Sequence, residues 1–439
     1  MKIVLLSTYE LGRQPFGLAS PAAWLKAAGH AVTCADLSIQ ALPEQAIREA
    51  GLVGFYLPMH TATRLAVPVI ARVKALNPAA KLCGFGLYAP LNEEYLRGLG
   101  VDFPLGGEFE SDLTALAGGS SPSHLVSLDR LSFRVPDRSD LPGLSHYAQL
   151  RIGNDSRVAG YTEASRGCKH MCRHCPVVPV YHGTFRVVQA EIVLADIRAQ
   201  IAAGARHITF GDPDFFNGPA HAARIVEAFH REFPNVTYDA TIKIEHLLQR
   251  RDLLSLLKET GCLFVTSAVE SVDDAVLEKL DKGHTRRDFF EATALFREIG
   301  LTLSPTFIPF TPWTTKEGYC DLLAVIADLG LVENVSPVQL ALRLLIPASS
   351  RMLELPEIQD RIEGFDQAAL VYRWRHEDPE MDILANSLLK LVGAEQKNGS
   401  SRRTIFREIW SLVHGRPLPE EFDLLPRAAI PYLNEPWYC

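Results

Sequence analysis

Short apolar runs of strand length alternate with helix-length amphipathic stretches twice along this 439-residue chain, and that alternation constrains the fold more than any other feature. In the first pass, residues 2–7, 31–35, 52–57, 81–84 and 101–104 read as strands. Helices over 21–28, 62–76 and 91–99 lie between them. Strands separated by helices pair in parallel, so this half predicts a doubly wound α/β sheet of Rossmann-like type. Ligands of such sheets gather at the carboxyl ends of the strands. The residues there are Ser7, Thr8, Glu10, Met59, His60, Gly84, Gly86, Gly106 and Gly107. The second pass begins at Tyr161 and places strands at 207–210, 236–243, 262–270, 301–310 and 337–346, with helices at 190–203, 220–229, 250–259, 287–299 and 316–329. With the strand at 161 this makes six βα units, whose strand ends carry Gly211, Asp212, Lys243, Glu270 and Pro309.

Between the first two strands of the second pass stands Cys168-Lys169-His170-Met171-Cys172-Arg173-His174-Cys175, spaced C-x3-C-x2-C. Thiolates this close can converge on one soft metal centre, because cysteine sulfur is a preferred ligand of iron–sulfur clusters and of zinc. Zinc requires a fourth ligand, for which His170, His174 and His182 are candidates. Three sulfurs on a four-iron cluster leave one metal position for a cofactor or substrate. Two classes therefore stay open on spacing alone: a cluster enzyme, and a zinc-dependent nucleotide-binding module without radical chemistry.

The C-x3-C-x2-C loop after a strand resembles the signature of the radical S-adenosylmethionine (SAM) superfamily, and six βα units match its open, partial (βα)6 barrel. The resemblance implies that Cys168, Cys172 and Cys175 hold a [4Fe-4S] cluster and that SAM chelates its fourth iron. His174 stands where that superfamily usually has an aromatic residue. Gly211-Asp212-Pro213-Asp214 stands where the family has a G-G-E-type motif for the SAM amino group, with the glycine pair absent and Asp replacing Glu. Ala268-Val269-Glu270-Ser271 and Leu280-Asp281-Lys282-Gly283-His284 are similar to G-x-E-S and L-x-K-G-H of the cobalamin-type members. By that resemblance Gly211, Asp212, Asp214, Glu270 and Ser271 contact SAM, while Lys243, at a strand end, pairs either with the SAM carboxylate or with Glu245.

The first half resembles the cobalamin (B12)-binding domain of the same class, with Gly106-Gly107-Glu108-Phe109-Glu110 similar to its G-E-x-E stretch and Gly106 and Gly107 at the cofactor crevice. Domains that ligate cobalt from below carry D-x-H-x-x-G after the first strand; here the loop reads Ser7-Thr8-Tyr9-Glu10-Leu11-Gly12, with no histidine. The resemblance leaves cobalamin open, with methyl transfer the outcome if it binds. It also implies a small-molecule or peptide substrate and an external electron donor such as flavodoxin or ferredoxin. The last residues, ending at Cys439, resemble a group of radical SAM proteins whose tails read Cys-Cys-Ala-Glu-Pro or Cys-selenocysteine-Ala-Glu-Pro (the CCAEP and CUAEP tails). That implies a selenoprotein truncated at a selenocysteine codon, with Cys439 a catalytic thiol.

The expected division is a cobalamin-binding-type domain over 1–117, a linker over 118–160, the barrel over 161–346 and a helical region over 347–439. The linker rests on turn-rich composition, Gly118-Gly119-Ser120-Ser121-Pro122-Ser123 and 136–143. Hydrophobic residues make up 47% of the chain, enough for large cores, yet no apolar run reaches the length of a membrane span. Beyond the clustered three, the cysteines (34, 83, 262, 320 and 439) are scattered, which is no disulfide framework and points to a reducing cytoplasm. A formal charge of -8 argues against a broad nucleic-acid footprint.

Overall fold

The computed structural model describes residues 1–122, 124–420, 422 and 430–434. In the first half, β1 (Lys2–Ser7), β2 (Ala31–Asp36), β3 (Leu52–Tyr56), β4 (Lys81–Phe85) and β5 (Phe103–Gly107) form a parallel sheet in the order β2-β1-β3-β4-β5. Its two faces follow directly from the period of two along a strand. In β1, Ile3 and Leu5 face the helices Phe16–Ala27 and Phe109–Ala117, while Val4 and Leu6 face His60–Leu76 and Glu93–Gly98. The sheet is therefore buried on both sides, as the doubly wound expectation requires.

The segment 118–160, expected to be a linker, instead contributes strands to both halves. β6 (Val126–Ser127) adds to the first sheet beside β5. β7 (Gln149–Ile152) and β8 (Asp155–Thr162) form a hairpin across Gly153-Asn154, so the second sheet begins before Tyr161. Two residues between two alternating runs are a hairpin signal that the turn-rich composition around them obscures.

The cysteine run sits inside a second hairpin, β9 (Ser165–Gly167) with β10 (Phe185–Val187). β11 (His207–Phe210), β12 (Thr237–Thr241), β13 (Cys262–Glu270) and β14 (Thr302–Phe307) then extend β8 into five parallel strands, order β14-β13-β12-β11-β8. The helices behind them bury Ile197, Ile225, Phe229, Phe289, Phe296 and Ile326 in one core. Helix Arg286–Ile299 has clear stops: a capping box of Thr285 with Asp288, and left-handed Gly300.

The sixth βα unit is a correction. Residues 337–346 form no strand; Pro337–Leu340 is a 3-10 turn, and a single parallel bridge joins Phe310 to Arg343. The edge of β14 is satisfied by side chains instead: Phe307 N donates to Gln339 Oε1 at 3.1 Å, and Asn334 Nδ2 donates to the Leu303 carbonyl at 2.7 Å. The partial barrel thus has five full parallel strands.

The C-terminal region is helical over Pro379–Lys397 and Arg402–His414, which pack Leu388, Ile409 and Trp410 onto the barrel core. It also holds an antiparallel hairpin, β15 (Ile362–Asp366) with β16 (Val371–Trp374), which the helical expectation missed. Last, β17 (Tyr432–Leu433) pairs with β7. Among the described residues, no helix is long and apolar enough to cross a membrane.

Candidate functional site

The cysteine loop starts where β9 ends, at the carboxyl edge of the barrel sheet. Gly167 sits at φ +74°, and a Cβ there would lie 2.3 Å from the Tyr181 ring and 2.5 Å from the Thr184 carbonyl, so only glycine fits. The loop is then held by distant segments. Arg173 N donates to the Leu280 carbonyl at 2.9 Å, and its guanidinium donates to the Glu278 and Lys279 carbonyls at 3.1 and 3.0 Å. Asn217 bridges the Gly167 carbonyl and Lys169 N at 3.2 Å each, and Arg351 donates to the Met171 carbonyl at 2.5 Å.

Cys172 is buried, and Cys168 and Cys175 are half-buried; all three are free thiols. Burial pushes the Cys168 thiol up to about 11 and Cys175 up to about 12. Such thiols ionise when a metal takes the place of the proton. Lys282 is buried beside Cys172 and Cys175; burial works against its charge, but Glu270 and the two sulfurs raise its pKa. A fixed cation next to two of the three sulfurs suits the negative charge of a thiolate-ligated cluster. The donor set therefore fits an iron–sulfur cluster.

The strand-end residues converge on this loop. Glu270 closes β13 at φ +69°, with Oε1 3.1 Å from His174 Nε2 and 3.3 Å from Lys282 Nζ. Burial opposes its charge, yet Lys282 and His174 hold its carboxyl down at about 2. Lys243 Nζ lies 3.1 Å from His170 Nδ1 and 3.2 Å from Glu245 Oε2. Asp214 Oδ2 lies 2.6 Å from His246 Nδ1 and 3.5 Å from His170 Nε2; despite burial, those imidazoles hold its carboxyl at about 2. Cys168 Sγ, a His170 nitrogen and an Asp214 oxygen lie within 4.8 Å of one another. His284 is buried, and burial with the repulsion of Lys282 and Lys243 lowers it to about 4.

Two of the residues expected to contact SAM also make contacts within the protein. Both Asp212 oxygens are engaged, one by Ala164 N at 2.9 Å and one by Ser165 Oγ at 2.5 Å, so Asp212 braces the start of β9. Ser271 Oγ accepts from Asp273 N, at the start of the next helix. Of the zinc candidates, His182 is exposed at the end of helix Val178–Tyr181, and His174 is paired with Glu270. The histidine missed from sequence is His246, three residues beyond Lys243; its position one helical turn after a strand end was the available signal. Cys439 lies outside the described residues.

A cavity of about 450 Å³ opens between the two sheets. The first sheet contributes Glu10, Tyr56, Met59, Gly86 and Gly107 from its strand ends, and the barrel contributes Tyr161, Glu163, Arg166 and Gly211. Val177 and Tyr181, just beyond Cys175, complete the wall. Gly107 is at φ +70°, where a Cβ would lie 2.0 Å from the Ser127 carbonyl. Gly106 packs instead against Pro90, and His60 Nε2 contacts the Ala369 carbonyl, away from this cavity's lining. Among the described lining residues there is no histidine.

One arginine joins the halves. Arg166 donates both terminal nitrogens to Glu110 at 2.7 and 2.9 Å and its Nε to Glu163 at 2.7 Å, and lies 3.4 Å from Glu108. Glu108 also accepts from Tyr181 at 3.1 Å; burial pushes its carboxyl up to about 7, against the pull of Arg166.

Residues 162–323 match the family model described as the radical SAM superfamily. The chain is 25% identical over 327 residues to tRNA-2-methylthio-N(6)-dimethylallyladenosine synthase of Desulfosudis oleivorans, covering 67% of this chain and 68% of the relative. It is 28% identical over 151 residues to hopanoid C-3 methylase of Methylococcus capsulatus, 34% of this chain and 29% of that protein, so this second match spans less than a third of the relative. Among solved structures it resembles the cobalamin-dependent SAM radical enzyme OxsB with aqua-cobalamin and SAM bound, with TM-score 0.69, 14% identity, and 90% and 67% of the two chains covered. It also resembles the radical SAM methyltransferase TsrM of Kitasatospora setae with tryptophan and a SAM analogue bound, with TM-score 0.60, 17% identity, and 81% and 76% covered. At these identities the structural likeness concerns the fold.

Proposed function

We propose, from the premise that residues 162–323 of this enzyme are a radical SAM domain, that it is a cobalamin-dependent methyltransferase acting on a small molecule or peptide. The observation that carries this is the shared partition. The loop bearing Cys168, Cys172 and Cys175 runs directly into Val177 and Tyr181, which wall the cavity between the two sheets. A cluster on one side and a flat cofactor on the other would then face a common space. When bound, a [4Fe-4S] cluster supplies the electron that opens a C–S bond of SAM, and cobalamin supplies a carrier for a methyl group.

The chain's own residues do the binding and positioning. Three thiolates hold the metal, and Lys282 offsets their charge from 3% exposure. Lys243, Glu270 and Asp214 offer fixed charges of both signs around the loop, suited to the zwitterionic methionyl end of SAM. Gly107 lets the backbone turn tightly at the crevice, and Arg166 holds the two halves in register. No histidine is among the described residues lining the cavity, so none of them would offer an imidazole to a bound cobalamin. The electron comes from an external flavodoxin- or ferredoxin-type donor, and the free thiols suit a reducing cytoplasm.

The test is anaerobic reconstitution with iron, sulfide and hydroxocobalamin, followed by gel filtration and spectroscopy. The expected product carries one cluster and one base-off cobalamin, and SAM alters the electron paramagnetic resonance spectrum of the reduced cluster. Protein that retains the cluster but no cobalamin overturns the cobalamin assignment; protein that forms no cluster overturns the whole reading.

A further inference from the structure

The cavity between the sheets contains a buried acid with an oxygen that no described residue engages. Glu10 follows β1 on the first loop, is 7% exposed, and lines the cavity. Its Oε2 has no hydrogen-bond partner among the described residues. The acids around it are differently placed: Glu163 is tied to Arg166, Glu108 accepts from Tyr181, and Asp36 accepts from Ser38. A buried polar atom left unpaired costs about 1–3 kcal/mol, so an unpaired oxygen on a residue that lines a cavity marks a side chain that a ligand there could engage.

We infer that Glu10 is a recognition residue for a carboxamide, and that its Oε2 hydrogen-bonds a side-chain amide of the corrin ring in this cavity. The inference rests on the cobalamin reading above. The chemistry of the surroundings selects the ligand class. Burial drives the Glu10 carboxyl well above its ordinary range and Glu163 drives it further, with Asp36 adding and Arg13 and Arg138 opposing. Both influences favour the neutral acid, whose O–H donates to an amide carbonyl and whose C=O accepts from an amide N–H. An incoming carboxylate would add negative charge near Glu163 and Asp36. An incoming cation would meet Arg13 and the Arg138 guanidinium, which Asp196, Gln14 and the Tyr161 carbonyl hold in place. A neutral amide meets neither penalty. The remaining walls, Phe16, Tyr56, Met59 and Phe109, suit the face of a macrocycle whose rim carries such amides.

The test compares the reconstituted full chain with Glu10→Gln and Glu10→Met, using hydroxocobalamin as the probe in equilibrium dialysis read by absorbance. Iron content and SAM binding serve as controls for folding. Glu10→Gln, which keeps a donor and an acceptor, binds within about twofold of the unaltered chain; Glu10→Met, close to it in shape, binds about tenfold more weakly, as the loss of one buried hydrogen bond implies. The same ratios hold for cobinamide, which lacks the nucleotide tail but keeps the ring amides. Equal binding by Glu10→Met overturns the inference, as does a Glu10→Gln loss as large as that of Glu10→Met. A ratio that vanishes with cobinamide overturns the assignment to a ring amide. An unaltered chain that retains no cobalamin overturns the cofactor reading itself, whereas normal retention with an indifferent Glu10→Met overturns this inference alone.

Discussion

Replacing Glu270 by glutamine tests whether the charged groups beside the cysteine loop form one interdependent unit. Glu270 is buried, in a left-handed conformation that non-glycine residues rarely adopt, and it faces Lys282 and His174. Its folded pKa of about 2 lies below the ordinary 4.5. A depressed carboxyl contributes stability that is fully present above pH 4.5 and is lost as pH falls through about 2. At 1.36 kcal/mol per pH unit this amounts to about 3 kcal/mol at neutral pH. Glu270→Gln removes that contribution and leaves Lys282 buried without its counter-charge, and breaking one side of a buried pair costs about 3–5 kcal/mol. Lys282→Met in the same chain removes the orphaned charge. The double variant is therefore expected to be more stable than Glu270→Gln by about 2 kcal/mol or more. Urea unfolding of the metal-free protein, followed by both fluorescence and circular dichroism, measures the cycle; coincidence of the two probes is needed in a chain of this size. Strictly additive losses would refute the reasoning, because independent groups have no coupling energy.

Three further outcomes follow from the same geometry. Alanine at Cys168, Cys172 or Cys175 abolishes cluster loading, read as bound iron after reconstitution, while Cys320→Ala retains full iron. Arg166→Met strands the buried Glu110 and Glu108 and the paired Glu163, lowering unfolding stability by about 3–5 kcal/mol, and adding Glu110→Gln recovers part of the loss. Burial raises the Asp212 carboxyl to about 7, so its contribution to stability is present below 3.8 and is lost as pH rises through about 7. Asp212→Asn is neutral throughout and flattens that decline, measured as unfolding midpoints between pH 4 and 8; an unchanged decline would count against a buried Asp212 charge.

The parts of the fold that repeat were legible in the sequence. Strand and helix periods located β1 to β5 and β11 to β14, because each apolar face is written locally in every second or every third and fourth residue. The sixth unit misled for a specific reason: Pro337-Val338-Gln339-Leu340 is apolar enough for a strand, but Gln339 and Asn334 reach back to the backbone of β14 and take the place of a neighbour. The convergence of Cys168, Lys243 and Glu270 on one end of the barrel was legible as strand-end position. The inward turn of Asp212 onto Ala164 and Ser165 was not, because that contact joins residues nearly fifty apart.

The least legible stretch is the one on which the site depends. Residues 166–181 alternate in role within a few positions: Arg166 contacts Glu110 of the first half, Cys168 to Cys175 form the cysteine loop, and Val177 and Tyr181 line the cavity between the sheets. No helical or strand period runs through it, since its only regular helix is the four residues Val178–Tyr181. Its shape is imposed from outside, by Leu280 and Glu278 after β13, by Asn217 after β11 and by Arg351 beyond the barrel. A loop fixed by contacts so remote in sequence can announce its chemistry through cysteine spacing and still conceal its geometry. The same remoteness ties the loop to the first half of the chain, because the contacts of Arg166 with Glu110 and of Tyr181 with Glu108 flank the three cysteines on either side.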